Sequence, residues 1–233
     1  MNRSRIRGAR LKSASRGFNI VELSVVIIVL GLTVGMTLKG AVLIDIMKAL
    51  WAGYEIQMFQ NRVQLYAVQY GYLPGDDPKA ANRFGHPEPG RVDGTAVIAT
   101  TGDNKIDGRF TDWANPQSEH LMAWRDLRYA RLLDGGDPDV VGRAALPTNP
   151  FGGIYGFDEG NLGQQKGSIC LNKVPGGAAK RIDESLDDGL INQGAVVATA
   201  QPDDDAAHGH FAAPDAKPYD VDKEYIICAS LLP

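Results

Sequence analysis

A single carboxylate stands at the head of a long apolar run in this chain. Arg16-Gly17-Phe18-Asn19-Ile20-Val21-Glu22-Leu23 joins a basic leader to that run, and Glu22 is its only charge before Lys39. An acidic side chain at the centre of a membrane helix costs about 2.5–3.5 kcal/mol on insertion scales, so one that is kept is expected to have work to do. Glu22 lies four residues after Phe18, one helical turn. A cut after Gly17 would leave the new Phe18 ammonium and the Glu22 carboxylate on one helix face. The chemistry on offer is pairing of an amine with a buried acid.

The flanks say which side of a membrane each end would occupy. Residues 1–17 hold Arg3, Arg5, Arg7, Arg10, Lys12 and Arg16 and no acid. That bias holds the N-terminus on the cytoplasmic side. Phe18 to Leu38 would span about 31 Å as a helix, enough for a bilayer core. A secretory signal would be cut after its apolar region, at small residues. Lys39-Gly40-Ala41-Val42-Leu43 does not read that way, so the cut is expected before the run, with the membrane segment retained.

Gly17-Phe18-Asn19-Ile20-Val21-Glu22-Leu23, continued by Ser24-Val25-Val26-Ile27-Ile28-Val29-Leu30-Gly31, resembles the prepilin signal of type IV pilins and type II secretion pseudopilins. The resemblance implies cleavage between Gly17 and Phe18 by a prepilin peptidase and N-methylation of Phe18. It also implies pairing of Glu22 with the Phe18 amine of a neighbouring copy as helices pack into a filament. The implied partners are copies of the chain or related pilins, an inner-membrane assembly platform and the membrane itself. The plain alternative is a single-pass anchor whose Glu22 snorkels to the interface.

No proline occurs between Phe18 and Tyr72. One helix is therefore expected over residues 18–71, roughly 80 Å long, with 18–38 as transmembrane segment and filament core. Ile56, Phe59, Val63, Tyr66 and Tyr70 recur at threes and fours, the mark of a stripe packed on a globular head. Gly31, Gly35 and Gly40 fit either close helix packing or local unwinding.

Residues 72–233 are expected to form one extracytoplasmic domain. Losing the leader removes six of 24 basic residues, leaving 18 against 28 acidic ones and a formal charge of −10. That acidity argues against nucleic-acid binding. Tyr72 to Pro78 should turn the chain, and Thr95–Thr100 reads as a short strand. Asn115-Pro116 should open a helix ended by Gly135, with Leu121, Trp124, Leu127 and Leu132 inward. Phe151–Phe157, Ser168–Leu171, Ala195–Thr199 and Glu224–Ala229 read as strands. Pro175–Asp187 reads as a helix with Ala178, Ile182 and Leu186 inward, stopped by Gly189. The expected class is α+β, a pilin-like long helix on an antiparallel sheet with a C-terminal region bounded by a disulfide. Leu73-Pro74-Gly75-Asp76, Gly102 to Gly108, Glu119-His120-Leu121 and Ile182 to Gly189 are similar to a group of larger prepilin-type proteins, which implies topology and no activity.

Cys170 and Cys228 are the only cysteines. Outside the cytoplasm they are expected to bridge, as in many pilins, with two buried free thiols as the alternative. Asp103, Asn104 and Asp107 crowd oxygen ligands onto a glycine-flanked loop, which suits calcium, although Lys105 breaks the EF-hand pattern and an ordinary Asp-Gly turn fits too. Asp183, Asp187 and Asp188 form a second acidic group, near Lys180 and Arg181. Asp203-Asp204-Asp205 with His208 and His210 could hold a transition metal but reads as a surface loop. No nucleophile elbow, phosphate loop, Cys-x-x-Cys or His-Glu-x-x-His pattern occurs, so no enzyme is expected. The expected function is a pilus subunit. The alternatives are a type II secretion pseudopilin, a minor adhesive tip subunit, and an anchored binding domain or hydrolase that never polymerises.

Overall fold

Helix α1 runs from Ile20 to Tyr70, 51 residues without a break. In this computed structural model the described residues are 17, 19–85, 102–110, 113, 118–140, 142–160, 167–191, 193–200 and 218–231, without the side chains of 36–42. The chain divides into two units, residues 1–43 and 44–233. In the first, Asn19 caps the helix, its Oδ1 accepting the Val21 N–H at 3.4 Å. Ser24 and Thr33 turn their hydroxyls back onto the carbonyls of Val21, Val29 and Leu30. These bonds satisfy the polar groups of an otherwise apolar stretch from within. Among the described residues no helix is long and apolar enough to cross a membrane. The expected span, residues 18–38, includes Phe18 and side chains 36–38, which lie outside them.

In the second unit α1 supplies one wall of the core. Ala49, Ala52, Ile56, Phe59, Val63 and Tyr66 are buried, as the stripe demands. Phe59 meets Trp124 edge-on at 5.0 Å and Tyr155 at 5.2 Å. After the turn at 71–79 come α2 (Ala80–Phe84), α3 (Glu119–Tyr129) and a 3-10 turn (Gly142–Ala145). Then follow β1 (Tyr155–Asp158), β2 (Ser168–Pro175), α4 (Gly176–Leu186), β3 (Val196–Ala200) and β4 (Glu224–Ser230). The sheet is antiparallel with order β1-β2-β4-β3. The architecture is thus α+β with one four-stranded sheet. Its two central strands are joined by a Cys170–Cys228 disulfide at a directly paired register position, as expected from compartment and count.

Several boundaries differ from expectation. α3 begins at Glu119 behind Ser118, whose backbone is extended, and Asn115 and Pro116 lie outside the described residues. It ends at Tyr129, six residues before Gly135, because Arg131 itself takes the left-handed conformation at φ 57°. β1 is only four residues long. Phe151 belongs instead to a turn organised by Asn149, whose Oδ1 accepts the N–H groups of Phe151 and Gly153. β2 runs four residues further than expected, through a bulge with Lys173 at φ 57°. The strand expected at 95–100 lies outside the described residues. α4 follows its predicted pattern: Ala178 and Ile182 are buried and Leu186 packs against the core.

Candidate functional site

Two groups of residues could carry function: the start of α1, and the buried acids of the head. Glu22 occupies the first turn of α1, where the helix N-terminus favours negative charge. Gly17 is exposed, and Phe18 lies outside the described residues. Around Glu22 the helix shows large apolar side chains on every side, with Val26 45% and Ile20 84% exposed.

Among the described residues of the head six carboxylates are buried: Asp76, Asp77, Glu119, Asp126, Asp158 and Asp183. Each accepts hydrogen bonds from a distant part of the chain. Asp76 takes the N–H groups of Gly102 and, at 2.7 Å, Asn104. Asp77 accepts from the Tyr66 hydroxyl at the end of α1 and pairs with Arg83. Glu119 takes the Asp107 N–H at 2.8 Å, and Asp126 takes that of Gly75 at 2.8 Å. Asp158 takes those of Phe110 and Gly160. Asp183 accepts from the Tyr219 hydroxyl and the Gly189 N–H. A buried acid that accepts from a distant donor fixes where the donating segment lies.

Burial raises the pKa of three of these acids. It lifts Asp126 to about 7, against the lowering effects of the Gly75 N–H and Arg125 and with a further push from the nearby Asp77. It lifts Asp183 to about 6 and also raises Asp158. Burial, then the nearby carboxylates, push the hydroxyls of Tyr66, Tyr155 and Tyr219 far above the ordinary tyrosine value. Those hydroxyls therefore remain donors at any physiological pH.

The loop picked out for calcium is held by these acids. Asp103, Asn104 and Asp107 are exposed, and Asp103 Oδ1 accepts the Lys105 N–H at 3.0 Å within its own turn. The loop aims backbone donors at Asp76 and Glu119. Asn104 sits at φ 64° to make that possible. Gly75 and Gly108 are required by the same packing. A Cβ at Gly75, already at φ +83°, would lie 2.2 Å from the Glu119 carbonyl oxygen, and one at Gly108 would lie 2.0 Å from His120 Nδ1.

Among the described residues the one gathering of three acidic, histidine or cysteine ligands is Asp183, Asp187 and Asp188, whose nearest oxygens lie within 4.8 Å of one another. They end α4 and accept from their own surroundings: Asp187 from the Ala195 and Val196 N–H groups, Asp188 from that of Leu190. His208, His210 and Asp203–Asp205 lie outside the described residues. The buried acids were not singled out by sequence pattern, apart from Asp183. The one local signal was the set of Leu73-Pro74-Gly75-Asp76, Gly102 to Gly108 and Glu119-His120, which the fold brings into contact. No family model matches this chain, and no curated protein or solved structure matches it either.

Proposed function

We propose that this chain is the precursor of a structural subunit of a type IV pilus or related filament. The observation that carries the proposal is the Gly17-Phe18 junction directly before an apolar helical segment with Glu22 in its first turn. A prepilin peptidase would cut there, and Phe18 would become the methylated N-terminus. The leader's six positive charges would keep the N-terminus cytoplasmic, and the head would lie outside the cytoplasm, where the Cys170–Cys228 disulfide is at home. On release from lipid, the apolar half of α1 would pass into contact with other copies and stay dry. The Glu22 carboxylate would meet the neighbouring Phe18 ammonium there, offsetting the cost of burying each alone. The exposed apolar surface of α1 supports this reading, since a chain acting alone in water would hide it.

The test is N-terminal sequencing of the exported protein in its native host, which should begin at N-methyl-phenylalanine, residue 18. A start at Met1 or at a site after Leu38 would overturn the proposal. Antibody labelling of surface filaments in electron micrographs separates a pilus from a periplasmic pseudopilus. Quantification in sheared filaments separates a major from a minor tip subunit.

A further inference from the structure

The segment between α1 and α3 is fastened by carboxylates more than by apolar packing. Across residues 75–84 the buried residues are Gly75, Asp76, Asp77 and Ala80, and Ala80 brings only a methyl group. α2 within it is five residues long and has no side-chain cap at its start. Three acids hold the segment down. Asp126 of α3 accepts the Gly75 N–H at 2.8 Å. Asp77 accepts the Tyr66 hydroxyl of α1 at 2.9 Å and pairs with Arg83 of α2. Asp76 accepts the Asn104 N–H at 2.7 Å and that of Gly102. Their counter-charges are unequal. Arg83 touches Asp77, whereas Arg125 Nε stands 3.9 Å from Asp126 Oδ1, beyond hydrogen-bond reach. The Asp126 side chain is nevertheless 1% exposed. Facing it are Tyr66 from α1, Asp77 from the turn, Arg83 from α2 and Arg125 from its own helix.

We propose that residues 75–84 form a latch closed over the Asp126 carboxyl, tight in acid and opening on its own as the surroundings approach neutrality. It works whether or not copies assemble. With the latch shut, burial lifts Asp126 to about 7. Opening lets water reach the carboxyl, which returns toward its ordinary value of 3.8. The closed form thus keeps a proton that the open form gives up to water. Between about pH 4 and 7 each unit of pH raises the open-to-closed ratio by up to about tenfold; above 7 both forms are ionised and the ratio levels. Local opening is cheapest where little apolar surface is packed, and this segment packs little. Gly75 N–H and Asp76 exchange their partners for water, while Asp77 and Arg83 both lie within the segment and leave as a pair. The core strands β2 and β4, joined by their disulfide, stay in place. Release draws Phe84 away from the rings of Tyr70 and Tyr129, which it meets at 5.6 and 6.1 Å. An aromatic face is therefore covered in acid and offered to solvent near neutrality.

Hydrogen exchange of the full chain in detergent tests this, read by mass spectrometry at pH 5, 6 and 7 and corrected for the intrinsic pH dependence of amide exchange. At pH 7, peptides from residues 71–84 should exchange through openings at least about tenfold more frequent than those of β2 and β4. From pH 7 to pH 5 the frequency over 71–84 should fall by about fiftyfold. In Asp126→Asn, which keeps an amide oxygen for the Gly75 N–H, that fall should shrink below about threefold. A merely structural bond would instead be weakened by the substitution alike at every pH. If the variant fails to fold, the parent's series still decides. Exchange over 71–84 that only matches β2 and β4 would show that the segment opens with the whole head, and the latch would be overturned. Exchange unmoved between pH 5 and 7 would overturn it equally, as would a fall of the parent's size in Asp126→Asn.

Discussion

A buried carboxylate that accepts backbone N–H groups does two jobs: it satisfies donors that would otherwise be orphaned, and it fixes where a loop must lie. Asp76 shows this most clearly. It is fully buried, and the N–H groups of Gly102 and Asn104 converge on it from 26 and 28 residues away. Asp103, one residue from both donors, is exposed and accepts the Lys105 N–H within its own turn. Asp76→Asn is thus expected to cost about 2–3 kcal/mol in urea unfolding, and Asp103→Ala about 0.5 kcal/mol or less. Equal losses would show that the exposed acid, through an ion or otherwise, organises the loop. Asp126 makes a different prediction. Burial raises its pKa from 3.8 to about 7, so the folded state holds a proton that the unfolded chain releases. Its contribution is therefore fully present below about pH 4 and is lost as pH rises towards 7. Urea midpoints measured from pH 4 to 7.5 should fall across that range. In Asp126→Asn this part of the decline should vanish, with Gly75 N–H still accepted by the amide oxygen. An unchanged slope would mean that Asp126 is ionised in the fold.

At the scale of elements, the sequence was most legible where one face repeats. The spacing of Ile56, Phe59, Val63 and Tyr66 predicts the buried side of α1, and Ala178, Ile182 and Leu186 predict that of α4, because periodicity records which face leaves water. Strand cores were legible for the same reason. Ends were less so, because capping is decided by few atoms. The extended backbone of Ser118 precedes α3, and Arg131 accepts a left-handed conformation that sequence statistics would give to glycine. The acid pegs were illegible, since a buried Asp and a solvated one look alike until the partner loop arrives. The disulfide joins β2 and β4 where the sheet already pairs them, so its removal should alter no topology. Cys170→Ala with Cys228→Ala should lower unfolding free energy by about 4 kcal/mol, mostly through freeing the denatured chain across a separation of 58 residues. The near-ultraviolet spectrum of the folded variant should stay native. A loss below about 1 kcal/mol would show that the unfolded chain keeps these strands close even when reduced.

For the whole molecule the two units make separable claims. The head has its own core, built from residues of 44–233, and Glu22 belongs to the other unit. Replacing Glu22 should therefore leave the head's melting temperature within about 2 °C of the parent, since a surface change remote from packed features alters stability by no more than about 0.5 kcal/mol. Assembly should respond quite differently. If Glu22 meets the Phe18 ammonium of the next copy, Glu22→Ala leaves that ammonium buried without its counter-charge, a loss of about 3–5 kcal/mol per contact. Repeated at every subunit, that is enough to abolish filaments while Gly17–Phe18 processing continues. Glu22→Gln separates charge from shape: it keeps the side chain's size and its hydrogen-bonding oxygen, so filament yield near the parent would show that the ion pair is not what sets the contact. Filament yield after shearing, scored beside processing and head stability in the same cells, tells failed assembly from a failed fold.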